Sequence, residues 1–409
     1  MWNKSAADKK QSIMKLSVVI VNFNVKYYLE QTICSVYRAA RNLELDVWVV
    51  DNASTDGSQE YITHRYPQVH YLYNEENVGF SRANNQAIRL SEGEYVLLLN
   101  PDTIVGEDVL DACVRFLDDH PQAGAVGVSM LKDDGGFAWE SRRGVPTPFT
   151  SFCKMSGLCS LFPKSRTFGK YYMRYLDKNQ VNEIEIISGA FNMLRRSTLD
   201  RVGLLDETFF MYGEDIDLSY RILLGGYQNY YLPVHIVHYK GESTKKSSFR
   251  YVHTFYNAML IFFNKHFRRK HLFLSWLIHL AVVLRGALDL LKNKCLHQQA
   301  DPDDEAAGNR VLCLGGREAL AEMKKILEDN GMEAVLVETD EERMPEGHLT
   351  EGLDFTAYDR VAYDVDAYSF QCILQQLYRG CARKPLLLGT YSRQWGHLIT
   401  HKRIWYGKN

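Results

Sequence analysis

The chain lacks net charge and paired cysteines, and its longest hydrophobic run favours an interfacial or buried helix over a membrane span, which stays open. With 48 Lys and Arg against 50 Asp and Glu, its formal net charge is -2. No whole-chain positive field therefore exists to hold nucleic acid non-specifically. The eight cysteines, scattered from Cys34 to Cys381, include no CxxC and no paired-ligand spacing. That pattern suits reduced, mostly buried thiols in a cytoplasmic setting. The first fifteen residues are polar and mixed in charge, which argues against a cleaved signal peptide. The most apolar stretch, Leu272–Leu284, is interrupted only by Ser275 and His279 before Arg285 ends it. As a helix it rises about 20 Å, short of the roughly 30 Å hydrocarbon core. Beside the basic run Lys265–His271 it reads as an interfacial helix, or alternatively as a helix buried against the rest of the protein.

What is present is ordinary in bulk and specific in detail. A chain of 409 residues with 46% hydrophobic and 24% charged residues predicts two or three soluble globular domains. Charge is uneven: Lys240–His271 holds a single acid, Glu242, whereas Asp301–Asn309 is an acidic linker. The boundaries expected are a first domain over 1–250, an apolar and basic helical membrane-association segment over 251–300, and a small α/β domain over 301–409.

Residues 16–130 read as strand–helix repeats. Strands are expected at Leu16–Val21, Asp46–Val50, His70–Tyr73 and Tyr95–Leu99, with helices at Tyr27–Arg41, Ser58–Tyr66 and Gly79–Leu90. Such alternation implies a parallel sheet covered by helices on both faces. Residues 131–180 are aromatic and irregular and read as loops. A strand, a small-residue turn and a second apolar stretch follow over Glu183–Arg195, then a helix over Leu218–Leu224 and a strand over Tyr230–His235. Beyond the linker, Arg310–Gly315, Arg317–Asn330, Glu333–Val337, Ala362–Tyr363 and Pro385–Leu388 outline the smaller unit. Its Gly315–Gly316 turn lacks the full GxGxxG spacing and reads as structural before it reads as a phosphate site.

Three of the first-domain strands stop abruptly at Asn or Asp, in LSVVIVNFN, VVDNASTDGS and YVLLLNPDT. Open α/β sheets present their chemistry at such carboxyl ends. Together with NEENVGFSRANNQAI, ISGAFNMLRR and FFMYGEDIDLSYRI, these segments resemble glycosyltransferases of family 2 with the GT-A fold, over about residues 16–245. The NPD and EDIDLSYR forms are most similar to bacterial rhamnosyltransferases of surface-polysaccharide assembly. The resemblance implies an α/β nucleotide-diphospho-sugar transferase fold with a mostly parallel central sheet, followed by apolar helices and a small Rossmann-like domain.

It also implies roles. Asp51 and Asn52 contact nucleobase and ribose, with Asn22 a further donor contact; an Asx turn in DNASTDGS is the competing explanation. Asp102 of NPDT occupies the DXD-type position and holds Mg²⁺ or Mn²⁺ against the diphosphate. Asn100 replaces the first acid of a full DXD, which weakens the expected metal affinity. Gly79 lets the nucleotide approach closely, and Arg82 neutralises phosphate unless it simply faces solvent. His238 matches the downstream histidine completing the metal shell, with His235 close by. Ser243 and Thr244, in a basic loop, donate to the diphosphate. Asp215 is the general base, Glu214 orients the acceptor, and Asp217 is a helix-start acid near the dipole. Gly189, in Ser188–Gly189–Ala190, lets a sugar approach the backbone.

The function so implied is inverting, metal-dependent transfer of a sugar from a dTDP-rhamnose or UDP-hexose class donor. The acceptor is a lipid-linked or growing glycan at the cytoplasmic face of the inner membrane, with peripheral membrane contact. Two other readings stay open. A nucleotidyltransferase would need a Gly-rich loop and lysine after the first strand, absent from Asn22–Lys26. A non-catalytic membrane-associated assembly module gains support only from Asn100.

Overall fold

The computed structural model describes residues 14–40, 43–239, 249–267 and 308–407. In chain order the elements are β1 (Leu16–Asn22), α1 (Lys26–Ala39), β2 (Leu45–Asn52), α2 (Ser58–Arg65), β3 (His70–Asn74) and α3 (Phe80–Leu90). Then come β4 (Tyr95–Leu99), β5 (Thr103–Val105), α4 (Val109–Asp119), β6 (Ala123–Leu131), α5 (Pro148–Met155) and α6 (Leu158–Leu161). They are followed by β7 (Asn182–Ile184), β8 (Phe191–Arg195), α7 (Arg196–Val202), α8 (Glu214–Leu224), β9 (Gln228–His238) and α9 (Phe249–His266). The remainder forms β10 (Arg310–Gly315), α10 (Arg317–Asp329), β11 (Glu333–Glu338), β12 (Arg360–Asp364), α11 (Phe370–Cys381), β13 (Leu387–Ser392), β14 (His397–Thr400) and β15 (Arg403–Trp405).

The first sheet runs β3-β2-β1-β4-β8-β6-β9-β5, with β7 beside β9. This is a mostly parallel central sheet of the kind the resemblance implies. The β3-β2-β1-β4 half is parallel, as the strand–helix repeats demand. Beyond it β8 enters antiparallel between β4 and β6, while β6 and β9 are parallel to each other. Strands β1 and β4 are buried along their whole length, because helices cover both faces. One apolar layer, built on Ile20, Leu97 and Ile33, lies between the sheet and α1 and α4. The other, built on Val19, Leu98, Ala87 and Leu218, lies under α3 and α8.

Several expectations needed correction. Residues 131–180 are not loops throughout: Thr147 caps α5 by accepting from Thr150 N, and Pro148 opens its first turn. Helix α4 went unread, as did strand β5 and the β14–β15 hairpin, whose short segments carry too few residues for a period to emerge. Glu214 and Asp215 lie inside α8 rather than before it.

The second sheet runs β11-β10-β12-β13-β14-β15, parallel over its first four strands and antiparallel at the hairpin end. It packs on α1 through one continuous apolar cluster holding Tyr28 and Tyr239 together with Tyr363, Phe370 and Ile399. Polar contacts fix this seam: Tyr28 OH donates to Thr400 O at 2.7 Å, and Gln31 Nε2 donates to Thr390 Oγ1 at 2.5 Å. Glu107 accepts from the N–H groups of Phe370 (3.1 Å) and Gln371 (2.6 Å), and pairs with Arg38 at 3.2 Å. A carboxylate at the open end of α11 meets its unpaired donors and its dipole together.

Helix α9 lays Ala258, Phe262 and Phe263 against Val145, Ile186 and Phe209 of the first domain. The Leu272–Leu284 stretch lies outside the described residues. Among those described, no helix is long and apolar enough to cross a membrane.

Candidate active site

The site is built at the carboxyl ends of β1, β2 and β4, where the register places Asn22 directly beside Asp51. Asp51 is fully buried. Its Oδ2 accepts from Asn22 Nδ2 at 2.7 Å and Tyr71 OH at 2.6 Å, and its Oδ1 from Ser54 N at 2.7 Å. Asn22 Oδ1 is buried and accepts no hydrogen bond among the described residues. Asn52 donates to Gly79 O at 3.3 Å and accepts from Asn74 Nδ2 at 3.0 Å.

Backbone strain gathers here. Asn24 and Ala53 have φ of 56° and 65°, and Tyr212, just before α8, has 68°. Such left-handed non-glycine residues persist where surrounding contacts over-determine them. Ser54 Oγ supplies some of these contacts, accepting from Asn22 Nδ2 (3.0 Å) and Asn24 N (2.9 Å). Gly79 needs to be glycine: its φ is +88°, and a Cβ would sit 2.7 Å from Phe210 O. Phe80 N donates to that same oxygen at 2.7 Å, joining the start of α3 to the loop that leads into α8. Arg82 lies on the surface of this junction, 3.4 Å from Glu207.

After β4 the chain turns through Asn100-Pro101-Asp102, pinned from below by Thr32 Oγ1, which donates to Pro101 O and Thr103 O at 2.8 Å each. Because β5 pairs antiparallel with β9, Thr103 stands opposite His238. His238 Nε2 is then 3.1 Å from Asn100 Nδ2 and 3.3 Å from Asp102 Oδ1. His235 goes elsewhere. Its ring lies tilted against Tyr378 with centroids 4.5 Å apart, and burial, with Lys178 nearby, pushes its pKa down to about 4.

The third component is the start of α8. Gly213, with φ of 87°, turns the chain so that Glu214 and Asp215 enter the first helical turn, where anions favour the dipole. Asp215 Oδ2 accepts from Gly189 N at 3.1 Å and from Arg143 at 2.5 Å, and Oδ1 accepts from Ile216 N at 2.8 Å. A Cβ on Gly189 would meet Asp215 Cβ at 3.3 Å. Glu214 is buried, and its Oε2 has no hydrogen-bond partner among the described residues. Burial, and then the neighbouring Asp215, push its pKa up to about 8. A strongly shifted carboxyl in a cluster of this kind marks a candidate functional group.

One short turn connects the parts. Asn100 N donates to Ala190 O at 3.0 Å while the adjacent Gly189 N donates to Asp215. Asn100, Asp102, His238, Gly189 and Asp215 thus form one hydrogen-bonded assembly beside the Asn22–Asp51 pair. Ser243 and Thr244 lie outside the described residues. Arg143 escaped sequence reasoning, its only signal being a place in an acid-free stretch. Asp217 belongs to a different network: fully buried, it accepts from Arg221 at 2.8 Å and His266 at 2.7 Å and pairs with Lys265 at 2.9 Å, tying α8 to α9.

For a divalent ion, the donor set is Asp102, His238 and the Asn100 amide. Among the described residues no three His, Cys, Asp or Glu side chains gather as a closed metal site. Asp102 and His238, with the Asn100 amide as a third donor, would suit an ion that draws its remaining oxygens from a diphosphate and water.

The chain is similar in sequence to known proteins. Residues 17–203 match the family model Glycosyl transferase family 2. An N-acetylglucosaminyl-diphospho-decaprenol L-rhamnosyltransferase of Mycobacterium tuberculosis is 28% identical over 286 residues, covering 67% of this chain and 92% of that relative. Rhamnosyltransferase WbbL of Escherichia coli K12 is 26% identical over 201 residues, 42% of this chain and 70% of the relative. Among solved structures, the mannosyltransferase PcManGT from Pyrobaculum calidifontis, in complex with GDP-Man and Mn²⁺, has a TM-score of 0.42 at 18% identity. It covers 71% of this chain and 77% of its own.

Proposed function

The chain belongs to glycosyl transferase family 2 through residues 17–203, and from that premise we propose that it transfers one sugar, with inversion, from a nucleotide-diphosphate donor to a lipid-linked or polysaccharide acceptor. The observation that carries this reading is the Asn100–Ala190 and Gly189–Asp215 pair of hydrogen bonds, which brings a diphosphate-facing group and a carboxylate to one turn. The donor is of the dTDP-rhamnose or UDP-hexose class, and the work belongs to cell-surface glycan synthesis at the cytoplasmic face of the inner membrane. Relatives named as rhamnosyltransferases, one with a decaprenyl diphosphate acceptor, support that choice.

In this reading Asn22, Asp51 and Asn52 hold the nucleobase and ribose, with Asn22 Oδ1 accepting a base N–H. Gly79 admits the nucleotide, and Arg82, Ser243 and Thr244 face its phosphates. Asp102 and His238, with Asn100, hold Mg²⁺ or Mn²⁺; imidazole favours Mn²⁺. A bound divalent ion supplies Lewis-acid neutralisation of the departing diphosphate. Gly189 leaves room for the sugar against the backbone.

Asp215 takes the proton from the attacking acceptor hydroxyl, and Arg143 orients its carboxylate. With one base and no separate nucleophile, a single displacement inverts the anomeric centre, as in inverting glycoside hydrolysis. One observation favours a second assignment of the base. Glu214, with its unpartnered Oε2 and pKa of about 8, suits proton transfer near neutrality.

The test is incubation with a panel of nucleotide-diphosphate sugars and Mn²⁺, scoring binding, hydrolysis and transfer. Tight binding of one donor, lost in Asp102→Ala, is expected. Pyrophosphate release from a nucleoside triphosphate with no sugar-nucleotide binding would overturn the reading.

A further inference from the structure

Between Glu140 and Asp177 lie 36 residues with seven Lys or Arg and no acid, in a chain that carries 50 acids. The same stretch holds α5 and α6, and α5 is packed inside out. Polar Thr150 is buried together with Cys153, whereas Phe149 and Phe152 face outward at 50% and 58% exposure. A helix of a water-soluble surface turns its apolar stripe inward. Leu161 (70%) and Phe162 (47%) continue the outward apolar patch beyond α6. Exposed Lys164 and Arg166 follow directly.

We infer that α5–α6 is an interfacial docking element for an anionic bilayer. Aromatic and aliphatic side chains enter the headgroup boundary while the flanking cations meet lipid phosphates. Charge decides the occupant: Arg142 is buried and Arg143 and Lys170 pair with Asp215 and Glu185, but Lys164 and Arg166 stand exposed beside the outward apolar side chains and complement an anionic lipid surface. An exposed apolar patch of this kind marks an interaction surface rather than a scatter of single residues.

Its location gives the docking a purpose. Arg143, bonded to Asp215 at 2.5 Å, is five residues before α5. Gly144 N donates to Tyr171 O at 3.2 Å, and the Lys154 ammonium from α5 lies 3.7 Å above the Tyr171 ring. Docking through α5–α6 therefore holds the Asp215 side of the site toward the lipid surface. That catalytic consequence rests on the transferase reading above; the docking itself does not.

The experiment is sedimentation of the full chain with phosphatidylglycerol and with phosphatidylcholine vesicles. We expect binding to the anionic vesicles that falls about tenfold in Phe149→Ser/Phe152→Ser/Leu161→Ser/Phe162→Ser. The charge reversal Lys164→Glu/Arg166→Glu should lose about tenfold on phosphatidylglycerol alone. Unchanged melting temperature and nucleotide-diphosphate binding in both variants show that the fold is intact. Wild-type protein that ignores anionic vesicles, or variants that sediment like wild type, would overturn the inference. So would a wild-type dimer that the serine variant converts to monomer without any vesicle binding. Transfer to a detergent-dispersed acceptor separates the two ideas: its absence sinks the transferase reading and leaves the vesicle result standing.

Discussion

Gly189 N donates to Asp215 Oδ2 at 3.1 Å, and this bond joins the carboxylate at the start of α8 to the turn that also holds Asn100. A side chain at position 189 would crowd Asp215, since its Cβ would lie 3.3 Å from the Asp215 Cβ. A larger residue would make Asp215 give by a few tenths of an ångström, and the close approach brings the two halves of the site within one turn of each other.

The Asp102–His238 pair leads to the first prediction. If Asp102 faces the departing diphosphate as proposed, Asp102→Asn should lower kcat/KM by about 10²-fold or more by removing its charge. Asn100→Asp should act oppositely on the ion, lowering the Mn²⁺ concentration for half-maximal activity by about tenfold through added ligand charge. Mn²⁺ titration of initial rates checks both. An unchanged half-saturation in Asn100→Asp would remove this residue from the ion's surroundings.

The base assignment is decided by paired variants. Asp215→Asn should keep donor affinity and lose about 10²–10⁴-fold in transfer, measured by calorimetry for binding and product formation for rate. Glu214→Gln should retain most activity. A reversed result, with Glu214→Gln inactive and Asp215→Asn active, moves the base to Glu214.

Glu214 also carries a pH signature. Its folded pKa, about 8, lies above the ordinary carboxyl value, so the folded state binds the proton more tightly than the unfolded one. Its contribution to stability is then complete below pH about 4.5 and declines as pH rises toward 8. Glu214→Gln cannot titrate. The wild-type melting temperature should fall relative to this variant by at least about 2 °C between pH 5 and 8. Parallel curves for the two proteins would contradict the buried, neutral carboxyl.

Asp217 works with the opposite sign. Burial disfavours its charge, but the hydrogen bonds from His266 and Lys265, with Arg221, outweigh burial and hold its pKa down to about 2. Its stabilisation is present above pH about 4 and is lost as pH falls toward 2. Asp217→Ala should destabilise the first domain by about 3 kcal/mol, because buried cations lose their partner. Denaturant unfolding at pH 7 measures this, and the deficit should shrink in acid.

Glu107 tests the seam between the sheets. Glu107→Ala removes the acceptor for Phe370 N and Gln371 N and should cost about 1–2 kcal/mol, in the range of a lost helix cap. Calorimetry should then resolve the second sheet melting earlier, and limited proteolysis should cut faster within 308–407. A single unshifted transition would show that the apolar contacts around Tyr28 and Phe370 suffice.

Much of the site was legible because buried parallel strands are strongly constrained. A run such as LSVVI admits few polar residues, so Asn22, Asp51 and Asn100 stand out where each strand ends. Other features left no local mark. Arg143 reaches Asp215 across 72 residues of sequence, and Tyr71 donates to Asp51 from a strand with no unusual composition. Whether His235 or His238 turned toward Asp102 depended on the β5–β9 register, since neighbouring strand residues alternate in direction and the pairing selects one set. Asp217 looks in sequence like its neighbours Glu214 and Asp215, yet the rotation of α8 aims it at α9.

The sequence alone determined which chemistry was on offer: carboxylates and amides at strand ends, a cationic aromatic stretch without acids, and two α/β units. Only the tertiary structure decided which of those groups meet. Hydrophobic periodicity specifies elements from neighbouring residues, whereas antiparallel insertion of β8, the pairing of β5 with β9 and the entry angle of α8 are set by packing between segments far apart in the chain.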